Sequence, residues 1–303
     1  MVFRLRILCF SLLAVAASFS ATAHGSPLRV LTYNIHHSEG IDGVYNLNRI
    51  AGVITAANPD LVALQELDQG NLRSGVNVFQ LNQLAQLTGM QGFFGKTINY
   101  QGGEYGNGVL VKSDLHVTGM VNRPLPSPVG GEARGIMEVG VSLDGANAAE
   151  FGFFATHFTA HNDPASRLAQ AGFINSLVAG STSPTLLAGD LNDTAASPAM
   201  QRLFEQWQDS THLPDPGINR ATQIDYVLFR GDAWNVVDGG RFIVDPTTRV
   251  ASDHFPVLTV IDLAAVPEPS RLALLLAGAA ALRCFAGWAA RRSRGGGTQA
   301  VGI

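Results

Sequence analysis

Short apolar runs that break off at a polar residue recur along the middle of this chain, and they limit what it can fold into. Asn34 follows LTY, Glu66 follows LVALQ, His157 follows FGFFAT, Asp190 and Asn192 follow LLAG, Asp225 opens DYVLF, and Asp253-His254 precedes FPVLTV. Apolar runs this short, bounded by turn formers or charge, read as buried strands, because helices need longer periodic stretches. Strands that end in a carboxylate, amide or imidazole bring those groups to one rim, where rigid elements hold functional side chains.

Between the runs the pattern turns helical. Asn46 to Asp60 reads as a helix stopped by Pro59, and Val76 to Leu87 carries apolar residues at helical spacing. Asp163 is a cap for free backbone N–H groups and Pro164 suits the first helical position. The buried face of that helix is assigned to Leu168, Phe173, Ile174 and Leu177, and Pro198 to Trp207 reads as another helix. Further strands are expected at Gly108 to Val111, Ile136 to Leu143, Trp234 to Val237 and within the runs above, with DGANAAE as a hairpin turn. Strands outnumber helices and include adjacent antiparallel candidates, which favours mixed sheets packed together with helices outside. No linker, repeat or charge block interrupts Leu28 to Leu263, so one domain is expected over residues 24–265.

The two ends read as addresses. Arg4 and Arg6, an apolar stretch from Ile7 to about Ala17 and then Ala21-Thr22-Ala23 form a signal-peptide pattern over residues 1–23. At the other end, a hydrophobic helix over 272–290 is followed by Arg291, Arg292 and Arg294, the length and flank of a membrane span. With Val266-Pro267-Glu268-Pro269-Ser270 before it, the segment 266–303 resembles a PEP-CTERM sorting tail. That resemblance implies export from a Gram-negative cell to the periplasm, envelope or exterior, an exosortase-like processing enzyme, and membrane contact through the helix before processing.

Setting aside the terminal arginines and Glu268, 13 basic and 23 acidic residues remain between His24 and Ala265, a formal charge of -10. Strongly acidic domains release few counterions from duplex DNA, so tight nonspecific binding is disfavoured. Both cysteines, Cys9 and Cys284, fall in the apolar ends. The domain therefore has no thiolate nucleophile and no cysteine-ligated metal. Oxygen ligands without cysteine suit magnesium, manganese or calcium, and histidines beside carboxylates supply acids and bases near neutrality. Singly these signals have plainer readings: GDLN suits a turn, Asp253-His254 a cap, and His157 a hydrogen-bonded core histidine.

Taken together, the stations LTYNIH, LQE, YGNGVLVKS, ATHF, AGDLN, QIDYVL and ASDHFPV, in this order from Arg29 to Leu263, resemble the endonuclease/exonuclease/phosphatase superfamily of metal-dependent phosphoesterases. The resemblance implies a deoxyribonuclease I-like α/β fold, a four-layer α-β-β-α sandwich of two mixed sheets with outer helices. It implies Glu66 as the principal metal carboxylate with Asn34 and Asp253 near the same ion, Mg2+ being the expected cofactor and Mn2+ or Ca2+ the alternatives. Asp190 and Asn192 match the phosphate-side and water-positioning pair, or a second metal site. His254 matches the catalytic histidine, Asp225 the carboxylate that orients a histidine, and His157 the second histidine, a stabiliser of the phosphoryl group or leaving oxygen. Asn107 and Arg134 are expected at the phosphate.

The substrate that the resemblance implies is a phosphodiester or phosphomonoester. With only Lys96 and Lys112 as lysines in the domain and no basic cluster, a small molecule or lipid headgroup is favoured over DNA. An extracellular nuclease is the alternative, and a noncatalytic envelope protein that has kept the fold is a third reading. The loop from Pro124 to Gly135 suits a substrate-selecting rim or a link between two sheets.

Overall fold

The computed structural model describes residues 27–127, 130–143, 150–160, 162–211 and 222–263. Its strands are β1 (Leu28–Asn34), β2 (Leu61–Gln69), β3 (Gln91–Tyr100), β4 (Gly103–Val111), β5 (His116–Pro124), β6 (Gly135–Ser142), β7 (Glu150–His157), β8 (Thr185–Asp190), β9 (Gln208–Asp209), β10 (Asp225–Arg230), β11 (Trp234–Phe242) and β12 (Val257–Leu263). The helices are α1 (Leu47–Ala57), α2 (Gln80–Thr88), α3 (Pro164–Val178), α4 (Pro198–Phe204) and the single turn α5 (Thr248–Ala251).

Two six-stranded mixed sheets result, in the orders β11-β12-β1-β2-β4-β3 and β5-β6-β7-β8-β10-β9. The four-layer sandwich explains why the strands are apolar on both faces. Leu61 and Ala63 of β2 pack between the sheets with Val139, Phe153, Ala155 and Ala188, whereas Val62 and Leu64 turn outward onto Ile50, Ile54 and Leu84 of α1 and α2. On the other outer face Leu187, Tyr226 and Leu228 pack against Ala171 and Ile174 of α3 and Met200 and Leu203 of α4. A strand covered on both sides reads as a continuous apolar run.

Each sheet contains one parallel pair, β1 with β2 and β7 with β8. All four run toward the same edge, and β10 and β12, antiparallel to β8 and β1, start there. At the opposite edge the first strand begins beside the end of the last, Leu28 facing Ile261.

Several local expectations change. Asp163 does cap α3, its Oδ1 accepting from Ser166 N at 3.0 Å, and Ile174 is buried with Phe173 and Leu177 packed beside it, but Leu168 is exposed and Arg167, Gln170 and Asn175 join the buried face. These three have polar partners inside: Arg167 reaches Asp193, Gln170 holds Thr159, and Asn175 accepts from Trp207 Nε1. The loop between Pro124 and Gly135 joins β5 to β6, neighbours in one sheet, and does not connect the two sheets. Residues 144–149 of the expected hairpin turn lie outside the described residues, although β6 and β7 pair antiparallel.

The transmembrane helix and the membrane contact through it are withdrawn. Among the described residues no helix is long and apolar enough to cross a membrane, and 272–290 lies outside them. The signal-peptide segment 1–23 and the whole of 264–303 lie outside them as well, so no observation supports the sorting tail.

Candidate active site

Strand register builds half of the site. His157 of β7 stands opposite Asp190 of β8, and Asp190 stands opposite Asp225 of β10, so three polar residues form a row at one edge of the second sheet. His254 reaches the row from the turn before β12, with Nδ1 2.9 Å from Asp225 Oδ2 and Nε2 3.6 Å from Asp190 Oδ2. Ser252 anchors that turn by donating to Asn34 O at 2.8 Å.

A bulge builds the other half. Leu64 pairs with Gly108 but Leu67 pairs with Gly106, which leaves an extra residue in β2 at Gln65-Glu66. Glu66 adopts φ 63, a conformation costly for a residue with Cβ, and such bulges re-aim side chains beside functional sites. Strain of this kind gathers here: His36, His37, Ser38 and Asn192 also have positive φ.

Asn34 joins the halves. Its Nδ2 donates to Glu66 Oε1 at 3.0 Å and to Asp190 Oδ2 at 3.1 Å, bridging a carboxylate of each sheet. Its Oδ1 accepts from the His36 backbone N–H at 3.1 Å, which fixes the amide's orientation. In this geometry Asn34 aligns the two carboxylates with its N–H groups and turns its oxygen away from them.

The remaining expected residues fall at graded distances from this centre. Arg134 Nη1 lies 3.1 Å from His157 Nδ1 and 2.8 Å from Glu132 Oε1. A guanidinium only donates, so His157 Nδ1 accepts and the neutral ring carries its proton on Nε2, 3.5 Å from Asp190 Oδ2. Asn107 donates to Gly135 O at 3.1 Å and ties β4 to β6 across the sandwich. Asn192 donates to Phe158 O through Nδ2, and its backbone N–H donates to Asp190 Oδ1. Asp253 is exposed and belongs to neither of the clusters of ionisable ligand groups described below.

The electrostatics separate the titrating groups. Burial pushes Asp190 up to about 7, helped by the charge of Asp225 and opposed by His254 and by hydrogen bonds from Asn192 and Asn34. Burial pulls His254 down, but Asp225, through charge and hydrogen bond, and then Asp190 and Asp253 outweigh it and raise the imidazole to about 10. His157 is held well below its usual value by burial first, then by Arg134 and His254, and so stays neutral. Groups pushed apart in this way divide into acid and base roles.

Two clusters offer metal-ligand atoms within 4.8 Å of one another: Asp190, Asp225 and His254, and His36, His37 and Glu66. Two buried atoms without a hydrogen-bond partner, Asp225 Oδ1 and His37 Nδ1, sit in these clusters. Buried polar atoms are rarely left unpaired, so the donor set fits a divalent cation. The histidines of the second cluster were not expected as site residues. The signal lay in NIHH directly after the strand-end asparagine, where the turn continues the rim that Asn34 begins.

The chain matches the family model described as Endonuclease/Exonuclease/phosphatase family over residues 31–254, which leaves both terminal segments outside the match. No curated protein matches the sequence. Among solved structures, an endonuclease/exonuclease/phosphatase from Beutenbergia cavernae is 26% identical with a TM-score of 0.66, the match covering 80% of this chain and 72% of that one. The human Nocturnin catalytic domain with bound sulfate anion is 19% identical, TM-score 0.63, covering 80% and 96%. A Bacteroides thetaiotaomicron mannosyl-6-phosphatase is 18% identical, TM-score 0.57, covering 77% and 99%; at these lower identities the likeness is one of fold. The match over 31–254, joined to carboxylates and histidines brought together from both sheets, makes this chain a member of the endonuclease/exonuclease/phosphatase family and a metal-dependent phosphoesterase.

Proposed function

We propose that the protein hydrolyses a small-molecule or lipid-headgroup phosphoester, with Mg2+ as its working cation, after export from the cell. One observation carries the substrate class: among the described residues, most of the cations that an extended polyanion would need are already paired with carboxylates. Arg49 pairs with Asp42, Arg73 with Asp68, Arg134 with Glu132, Arg167 with Asp193, Lys96 with Glu104 and Lys112 with Asp60. Affinity for duplex DNA comes chiefly from cations that displace counterions along the backbone. Beside Glu132 a cavity of about 110 Å3, lined by Arg73, Ile98, Tyr100 and Tyr105, has the size of a small leaving group.

The chain's own groups suit in-line attack by water. Asp190, with its proton affinity raised to near neutrality, takes the proton from the attacking water. His254, kept cationic by Asp225, presents Nε2–H to a phosphoryl oxygen, and His157 presents the Nε2–H that Arg134 enforces to the leaving oxygen. A divalent cation at Glu66, when bound, supplies neutralisation of charge on phosphate and a polarised water. Export is supported by the signal-peptide pattern of residues 1–23.

The test is a panel of phosphomonoesters, small phosphodiesters, sphingomyelin and plasmid DNA, assayed at equal Mg2+, Mn2+ or Ca2+ and several ionic strengths. The proposal expects the highest kcat/KM on a small or lipid substrate. Higher efficiency on duplex DNA than on every other substrate would establish a nuclease instead, and no turnover on any would favour a noncatalytic role. Mass spectrometry of exported protein should find peptides beginning near His24; an intact N-terminus confined to the cytosol refutes export.

A further inference from the structure

We infer that His36 and His37 join Glu66 in a transition-metal site that binds Mn2+ more tightly than Mg2+, an inference that rests on the reading of Glu66 as a metal carboxylate. One nitrogen of each ring and a Glu66 oxygen lie within 4.8 Å of one another. Proximity alone would be weak, but the hydrogen bonds behind the rings give it direction.

Glu39 holds both imidazoles from outside. His36 Nδ1 is 3.1 Å from Glu39 O, and a carbonyl only accepts, so Nδ1 carries the proton and Nε2 keeps its lone pair. His37 Nε2 is 3.4 Å from Glu39 Oε2, and a carboxylate accepts in the same way, which leaves the lone pair on Nδ1. That Nδ1 is buried without a partner, in a residue only 6% exposed. Metal-ligating histidines ordinarily give their other N–H to a carbonyl or carboxylate, which fixes the tautomer. One residue, Glu39, performs that service for two rings.

The backbone agrees. His36, His37, Ser38 and Glu66 have φ of 44, 41, 68 and 63, and strain in residues with Cβ persists where surrounding contacts impose it. Gln80 Nε2 donates to His37 O at 2.7 Å, while Ser38 N donates to Ile35 O and Asn46 N to Ser38 O, locking the turn. Imidazole nitrogens favour transition-metal ions, of which Mn2+ is the weakest binder in the first-row series and the best matched to the accompanying carboxylate, whereas Mg2+ is a hard cation that takes oxygen ligands.

Full-length, metal-free protein would be titrated with Mn2+, following the free-ion EPR signal and, on the bound ion, pulsed-EPR coupling to 14N, with Mg2+ as competitor. The wild type should show histidine 14N coupling. His36→Gln and His37→Gln should each weaken Mn2+ binding tenfold or more, while the Mg2+ dissociation constant extracted from the competition changes less than threefold. His254→Gln, which removes the imidazole of the other cluster, should retain the coupling. Bound Mn2+ without 14N coupling overturns the inference, as does coupling that vanishes in His254→Gln but survives in both other variants. If His37→Gln proves unfolded by circular dichroism, His36→Gln at its half-exposed position decides alone. Histidine-coupled Mn2+ in a protein that hydrolyses no phosphoester would sink the functional reading while upholding the site. Phosphoester hydrolysis with Mn2+ held by oxygens alone would do the reverse.

Discussion

Replacing Asp225 by Asn keeps the side chain's shape and removes the charge behind His254. The rise of His254 from 6.5 to about 10 is net of an opposing burial effect and is produced by Asp225 first, then Asp190 and Asp253. At ~1.36 kcal/mol per tenfold change in proton affinity, the whole effect is worth roughly 5 kcal/mol. Asp225 holds the largest part, through its charge first and then its 2.9 Å hydrogen bond, while its loss also relieves the repulsion that raises Asp190. The expected net cost of Asp225→Asn in metal-free protein is therefore roughly 2 kcal/mol at pH 6. The sign follows from linkage. A histidine whose folded value exceeds its unfolded one stabilises fully below 6.5, and the contribution falls as pH rises toward 10. Denaturant melts of wild type and variant should therefore differ most at pH 6 and converge by pH 9 to 10. An asparagine N–H facing His254 Nδ1 also selects the wrong tautomer, so kcat should fall on the order of 10²-fold to 10⁴-fold. A variant with kcat within threefold of wild type across the pH range, or a stability gap that widens with pH, would refute the dyad.

Glu66→Gln should weaken divalent-ion binding and turnover together, read by calorimetry and initial rates; full activity in chelated wild type would exclude a metal requirement. His157→Ala should impair substrates with poor leaving groups far more than nitrophenyl esters, and equal losses on both would remove it from the leaving oxygen. Gly189→Ala places a Cβ 2.1 Å from Thr156 O, a backbone atom of β7, so stability should drop by roughly 2 kcal/mol or more with activity lost alongside; an unchanged melting temperature would contradict the close strand approach. Gly52→Ala, in α1 with open space around its Cβ, should instead stabilise by roughly 0.5–1 kcal/mol without touching kcat.

The site was legible in the sequence where strand ends carried it. Asn34, His157, Asp190 and Asp225 each sit where an apolar run meets a polar residue, and register then places them together. Glu66 was legible by the same rule, but not the reason for its direction, because a bulge depends on how β4 pairs with β2. His36 and His37 were missed because a left-handed turn of residues with Cβ has no local propensity signal. Strands β3 and β5 escaped for another reason: they are half-exposed or exposed outer strands, so little apolar alternation marks them. Helix α3 misled through composition, since its inner face is rich in polar side chains whose partners only the fold supplies.

The pairing of Leu28 with Ile261 gives the domain a single doorway for its chain. Entry and exit stand side by side at the end of the sandwich remote from Asn34 and His254. A surface or fusion partner attached at residue 27 or residue 263 of the domain is therefore joined at that end of the sandwich and not at the edge that carries the catalytic groups. The same adjacency makes a circular permutant practicable: a short linker across the doorway with new ends opened in the β5–β6 loop would preserve every strand pairing on which the active edge depends.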